Sequence, residues 1–103
     1  MRATLLLHGG AGSMNHMTED RARRYRDGLR RSAQVGADIL AAGGSAMDAV
    51  VASTAAMEDS GIFNAGLGAC LNFEGDIELD AAVMNGSDRD FGAVAGVRSV
   101  KNP

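Results

Sequence analysis

The sequence predicts an α+β fold in which helices pack on an antiparallel sheet, and three observations predict it. A short apolar run, Ala3–Leu7, ends in glycines as a buried strand does. Two helical stretches follow back to back, parted only by Gly43-Gly44. Glycine-punctuated apolar segments come next, joined by turns too short to hold the crossover that parallel strands need. The expected order is β-α-α-β-β-β.

Each element has a local reason. Ala3–Leu7 is a buried strand by its length and composition, and His8-Gly9-Gly10-Ala11-Gly12 follows it directly. Glycine has no Cβ, so this loop can turn sharply and aim backbone N–H groups inward. Ser13–Met17 reads as loop. Thr18 offers a capping hydroxyl and Glu19 and Asp20 place acids in a first helical turn, opening a helix that runs to about Ala42. Tyr25, Leu29, Ala33, Ile39 and Leu40 mark its apolar face, while Arg23, Arg30, Arg31 and Asp38 take the rest. Gly28 and Gly36 either weaken that helix or permit close packing.

Gly43-Gly44 stops the helix, and Ser45 with Asp48 three residues on forms a near capping box for a second. From Ala46 to Met57 the residues are apolar or small nearly all round, so this helix is expected to be covered on more than one side. Ser60–Gly68 is irregular and glycine-spaced. Ala69–Phe73 and Ile77–Met84 flank Glu74-Gly75-Asp76 as a hairpin, with Leu79, Ala81 and Val83 alternating against Glu78, Asp80 and Ala82. A break at Asn85–Asp90 leads to a last strand over Phe91–Val100.

With 103 residues the chain is at most one domain. Ala, Gly, Val and Leu dominate, and three Phe, one Tyr and no Trp leave little large apolar surface for a core. Part of the core is therefore expected to come from a partner segment. A net charge of −3 gives no argument for nucleic acid. The single Cys70 excludes an internal disulfide and fits a reducing compartment. No apolar run approaches a membrane span, and Leu5–Leu7 is too short for a signal-peptide core, so the cytoplasm is the expected location.

Several familiar sites fail on their spacing. A dinucleotide loop would need glycine where Asn15 stands, a phosphate loop would need Gly-Lys-Ser/Thr, and an esterase oxyanion loop would need a Gly-x-Ser-x-Gly elbow. The six arginines between Arg21 and Arg31 are interleaved with Asp27 and Tyr25 and read as a solvated helical face. His16 reads as a surface residue and Cys70 as a buried structural thiol. Asp80 sits either on a solvated face or under a loop that donates hydrogen bonds to it. Met57–Gly68, with glycines at 61, 66 and 68, turns several carbonyls inward. These need partners: a hard cation, or the loop's own N–H groups and water.

Five blocks together resemble one family. They are His8–Gly12; Ala41-x-Gly43-x-Ser45-Ala46-x-Asp48-Ala49-Val50; Glu58-Asp59 with Phe63-Asn64-Ala65-Gly66-x-Gly68; Glu78–Ala81 with Val83-Met84-x-Gly86; and Gly92–Val97 with Lys101-Asn102-Pro103. In this order and spacing they resemble the start of the plant-type L-asparaginase/isoaspartyl peptidase family. The resemblance covers essentially the whole chain, and His-Gly-Gly-Ala-Gly favours the plant-type branch over glycosylasparaginases and threonine aspartases.

The resemblance implies an N-terminal-nucleophile hydrolase, of which residues 1–103 are an incomplete single domain at the start of the α chain. Its fold would be an αββα sandwich. Such a precursor cleaves itself into α and β chains, and the new N-terminal Thr of the β chain attacks the side-chain amide of L-asparagine or an isoaspartyl dipeptide. That Thr lies beyond Pro103, and Thr4, Thr18 and Thr54 match no part of the catalytic block, so the isolated chain is expected to be inactive. What maps here is support. His8, Gly9 and Gly10 match the glycine loop beside the nucleophile, and Asn64 matches the Asn that helps hold it. The main-chain carbonyls of Met57, Glu58, Ser60, Phe63, Ala65 and Leu67 match a sodium loop. Gly61 replaces a Pro common there, which implies a looser loop and a weaker ion.

The resemblance further implies no organic cofactor and a possible structural Na+. The partners would be the rest of the α chain and the β chain of the same precursor, a small amino acid or dipeptide substrate, and a second αβ unit in a homodimer. It implies neither nucleic acid nor membrane. The alternative is a non-catalytic truncated or split half that folds only with a complementary chain.

Overall fold

The structure is a computed structural model that describes residues 2–103. Two helices, α1 (Glu19–Ala41) and α2 (Ala46–Asp59), lead through a short 3-10 turn at Gly66–Gly68 to a hairpin of β1 (Leu79–Met84) and β2 (Phe91–Val97). Both helix starts form as their sequences require. Thr18 Oγ1 accepts the Arg21 N–H at 3.2 Å. At α2, Ser45 Oγ accepts the Asp48 N–H at 3.0 Å while Asp48 Oδ2 accepts the Ser45 N–H at 3.3 Å, a complete capping box.

The end of α1 explains its pair of glycines. Gly43 takes φ +84°, a left-handed conformation that costs other residues free energy. The Gly43 N–H then reaches Leu40 O and the Gly44 N–H reaches Ile39 O. These two bonds are a Schellman motif, which satisfies carbonyls the helix would otherwise leave open.

The helices pack on each other through small residues. Gly28, Ser32 and Gly36 are the buried positions of α1, and the predicted face of Tyr25, Leu29, Ala33, Ile39 and Leu40 is half-buried around them. Ala49 and Ser53 of α2 are buried opposite, where a Cβ at Gly36 would collide with Ser53 Oγ and lie 3.0 Å from Ala49 O. The glycines of α1 therefore serve close packing. Its arginines are solvated, pairing locally as Arg26–Glu19 at 2.6 Å and Arg30–Asp27 at 3.5 Å.

The hairpin is antiparallel, with Ala81 opposite Val94 and Met84 opposite Phe91. Its register shifts between Leu79 and Ala81, where Ala95 and Gly96 oppose Asp80 alone. Gly96 takes φ +63° and donates its N–H to Asp80 Oδ1 at 2.9 Å. This is a bulge with a glycine in the left-handed region. Asp80 is exposed, as on a solvated face, and the hydrogen bond it accepts comes from the neighbouring strand and not from a loop packed over it.

Five expectations need correction. Ala3–Leu7, with Leu5 and Leu7 half-buried and Leu6 exposed, forms no strand and joins no ladder among the described residues. The Asn72–Asp76 turn closes, with Asn72 N–H to Asp76 O at 2.7 Å, but Ala69–Phe73 does not pair as a strand. The last strand ends at Val97 because Ser99 takes φ +59°, outside the strand region. Cys70 is exposed, since it follows a loop without packing beneath one. Finally, α2 is covered by α1 and, at its C-terminal end, by the Gly66–Gly68 turn, but its remaining side is bare, and Val50 and Val51 line an open cleft of about 590 Å³ facing β1 and β2. The helices accordingly pack on each other, and the sheet stands off across that cleft.

Candidate functional site

The glycine loop and the carbonyl loop meet on one aromatic ring. Phe63 is 4 % exposed and is wedged between Gly9, Gly28, Leu29 and Tyr25. A Cβ at Gly9 would lie 3.1 Å from Phe63 Cε1 and 3.4 Å from a Leu29 methyl, so the loop approaches this closely because position 9 has no side chain. Tyr25 tilts at 51° to the Phe63 ring with centroids 5.9 Å apart, a favoured aromatic arrangement. Gly10 and Gly12 turn the loop with φ of +107° and +148°.

His8 folds back on its own loop. Its Nδ1 accepts the Gly10 N–H at 3.1 Å, so the neutral ring carries its proton on Nε2. The side chain thereby rigidifies the turn. A cleft of about 630 Å³ opens beside it, with Phe63, Leu29 and Tyr25 as floor and His16, Arg21 and Arg26 on the rim.

Asn64 ties the far side of the carbonyl loop. Its Oδ1 accepts the Cys70 N–H at 2.8 Å, bridging six residues and fixing the orientation of its amide. The loop starts at the end of α2, where Ser60 donates both its N–H and its Oγ to Met57 O, the latter at 2.7 Å. Ala65 donates to Phe63 O at 2.8 Å and Gly68 to Ala65 O at 3.1 Å. The Glu58, Ser60 and Leu67 carbonyls accept no hydrogen bond among the described residues. Gly66 and Gly68 allow this crowding: Cβ atoms there would lie 2.7 Å from Glu58 O and 2.8 Å from Gly61 O.

This donor set fits a hard cation of low charge. Three open carbonyls, with second lone pairs on Phe63 O and Ala65 O, are neutral oxygen ligands of the kind such ions take, whereas Met57 O already accepts both Ser60 donors. The C-terminus of α2 adds its negative dipole end, and no basic residue stands in its last turn. All six carbonyls named from the sequence lie along this one loop.

Two carboxyls at that helix end have opposite fates. Glu58, 8 % exposed, is pushed up by loss of solvent and by the neighbouring Asp59 charge, against a weaker downward pull from Asn102. Asp59 is held below the usual carboxylate range by hydrogen bonds from Asn102 and Lys101. Lys101 and Asn102 are distant in sequence, so no local pattern could have pointed to this cluster. Phe63 as common floor was also missed, because its partners Gly9 and Gly28 are marked only by small size.

A sequence profile of the family described as asparaginase matches residues 1–103. This chain belongs to the asparaginase family. The asparaginase-family segment is 46% identical to an isoaspartyl peptidase/L-asparaginase of Bos taurus over 103 residues, all of this chain and 33% of that protein. It is 43% identical to the human protein of the same name, over all of this chain and 33% of that one. A plant-type L-asparaginase of Thermococcus kodakarensis is 45% identical over 101 residues, covering 98% of this chain and 32% of its own length. The segment thus spans about a third of the length of the curated relatives it matches.

Proposed function

We propose that this segment belongs to an amidohydrolase that cleaves the side-chain amide of L-asparagine, isoaspartyl dipeptides, or both. The nucleophile is a Thr exposed by self-cleavage in a part of the protein outside these 103 residues. A Thr hydroxyl is a weak nucleophile, and its own α-amino group, with a pKa of about 8, is placed to act as its base. The segment's task is to hold that residue in position, within an αββα sandwich completed by the rest of the α chain and the β chain. Two such αβ units form the homodimer, and the cytoplasm keeps the exposed Cys70 reduced.

The seating of the glycine loop on Phe63 of the carbonyl loop carries this reading. It joins His8, Gly9 and Gly10 to the loop bearing Asn64, the two features that the family resemblance assigns to nucleophile support. The carbonyls of Met57, Glu58, Ser60, Phe63, Ala65 and Leu67 would hold Na+, and its charge would offset the dipoles of these carbonyls and hold the loop together. Asn64 Oδ1 is committed to Cys70, leaving the amide nitrogen free to donate toward the nucleophile side.

The test uses the full-length protein. Mass spectrometry of the purified product should find two chains, the second beginning with Thr. Incubation with L-asparagine should release ammonia, or with an isoaspartyl dipeptide free aspartate. One intact polypeptide that releases neither product would overturn the proposal.

The second reading is a non-catalytic truncated or split half that folds only with a complementary chain, and the exposed apolar residues are what such a chain would cover. Leu6, Phe73 and Phe91 are 92 %, 106 % and 72 % exposed, so the segment needs apolar covering whatever it does. Here the segment would copurify with a complementary chain, and the pair would turn over neither substrate.

A further inference from the structure

Asp59 is the last residue of α2, and its two carboxylate oxygens are divided between donors from a remote segment. Lys101 Nζ donates to Oδ2 at 3.2 Å and Asn102 Nδ2 donates to Oδ1 at 3.1 Å. We infer that Asp59, gripped by Lys101 and Asn102, is a positioning residue that fixes the last turn of α2 so that the carbonyls of Met57, Glu58 and Ser60 converge on a monovalent cation. The inference rests on the cation reading given above.

Place and charge both support it. Asp59 lies between Glu58 and Ser60, so whatever holds its side chain holds the peptide units that turn into the loop. The other fastenings of that turn are local, from Ser60 N–H and Oγ to Met57 O. A carboxylate at a helix C-terminus faces the negative end of the dipole. No basic residue of α2 offsets it in the last turn, and Lys101 supplies that charge from the strand side. The ion pair is half-exposed, at 65% for Lys101 and 42% for Asp59, and such pairs add little to global stability. Its consequence lies in where it pins the turn.

Charge and positioning make opposite predictions for Lys101. If the cluster acts only through its field, removing the lysine tightens cation binding and removing Asp59 loosens it. If it positions the turn, either removal loosens binding, and removing both is no worse than removing one.

The experiment titrates full-length protein with NaCl against choline chloride at fixed ionic strength and reads the thermal midpoint, from which an apparent Na+ dissociation constant follows. Lys101→Ala and Asp59→Ala should each raise that constant about tenfold, the low end of what outer groups contribute to a metal site. The double variant should match either single one, and Lys101→Arg should restore wild-type affinity. Tighter binding in Lys101→Ala, unchanged constants in the single variants, or additive losses would overturn the inference while leaving the cation reading intact. A wild-type protein that does not distinguish sodium from choline removes the cation reading and this inference together.

Discussion

Gly36 and Gly28 occupy equivalent places on α1, yet their neighbours differ in kind. A Cβ at Gly36 would sit 3.0 Å from the backbone oxygen of Ala49 and 2.8 Å from Leu5 Cδ2, and would collide with Ser53 Oγ. A backbone oxygen inside a helix cannot rotate away, so α2 must move as a body. At Gly28 the neighbours are the Ile62 Cδ1 methyl at 3.1 Å and the Phe63 ring edge at 3.2 Å, both ends of side chains. Alanine gains about 1 kcal/mol over glycine in a helix interior. Overpacking costs about 1–3 kcal/mol where nothing yields. Gly36→Ala should therefore lower stability by up to about 2 kcal/mol and Gly28→Ala should be near neutral, read from urea midpoints of the full-length protein. Ser53 Oγ is buried without a hydrogen-bond partner. Its removal in Ser53→Ala should be harmless alone and should partly rescue Gly36→Ala, a coupling that a double-mutant cycle detects.

At the scale of elements, what is fixed locally was legible and what is fixed by distant partners was not. Thr18 and Ser45 cap their helices through atoms three residues away, and the sequence contains both partners of each bond. Ser45→Ala removes the capping box and should destabilise by about 1 kcal/mol, measurable as a lowered urea midpoint. Ala3–Leu7 has the composition of a buried strand, but a ladder needs a neighbour that composition cannot supply. The Asp59–Lys101 contact and the Gly9–Phe63 seat likewise join residues far apart in sequence. The carbonyl loop was legible as a glycine-spaced turn; that Gly66 and Gly68 make room for particular oxygens required the structure.

The base of the hairpin has a pH dependence of fixed sign. Arg98 donates to Glu78 Oε1 at 2.6 Å and to Asp76 Oδ2 at 3.2 Å. The Arg98 hydrogen bond, then one from Asn72, holds the Glu78 carboxyl below its usual range. A depressed folded-state pKa gives stability that is complete above the unfolded value, about 4.3 for Glu, and is lost as pH falls through the folded one. The thermal midpoints of wild type and Glu78→Gln should thus differ by a constant amount near neutrality and converge under acid. A gap that widens on acidification would contradict the pairing.

The whole molecule exposes more surface than its mass warrants. A compact protein of 10.6 kDa has about 5,500 Å² of accessible surface, whereas this one has 7746 Å². Its radius of gyration is 14.9 Å, against about 13 Å for a compact domain of this length. Only Ala49 and Phe63 are fully buried apolar residues among those described, which is too little to offset chain entropy. The excess, about 2,200 Å², is what one side of an obligate interface buries. It includes Leu6 and Phe91 and the open cleft between α2 and the hairpin. The isolated segment should therefore show helical circular dichroism without a cooperative melt, and it should bind a hydrophobic dye. The remainder of the protein, expressed as a separate chain and mixed with it, should restore a single sharp transition and abolish dye binding. A sharp, dye-free melt of the segment alone would mean that the small-residue contact of Gly28, Ser32 and Gly36 with α2 suffices as a core. The exposed apolar faces would then have to be explained by association between copies, which sedimentation of the same sample would reveal.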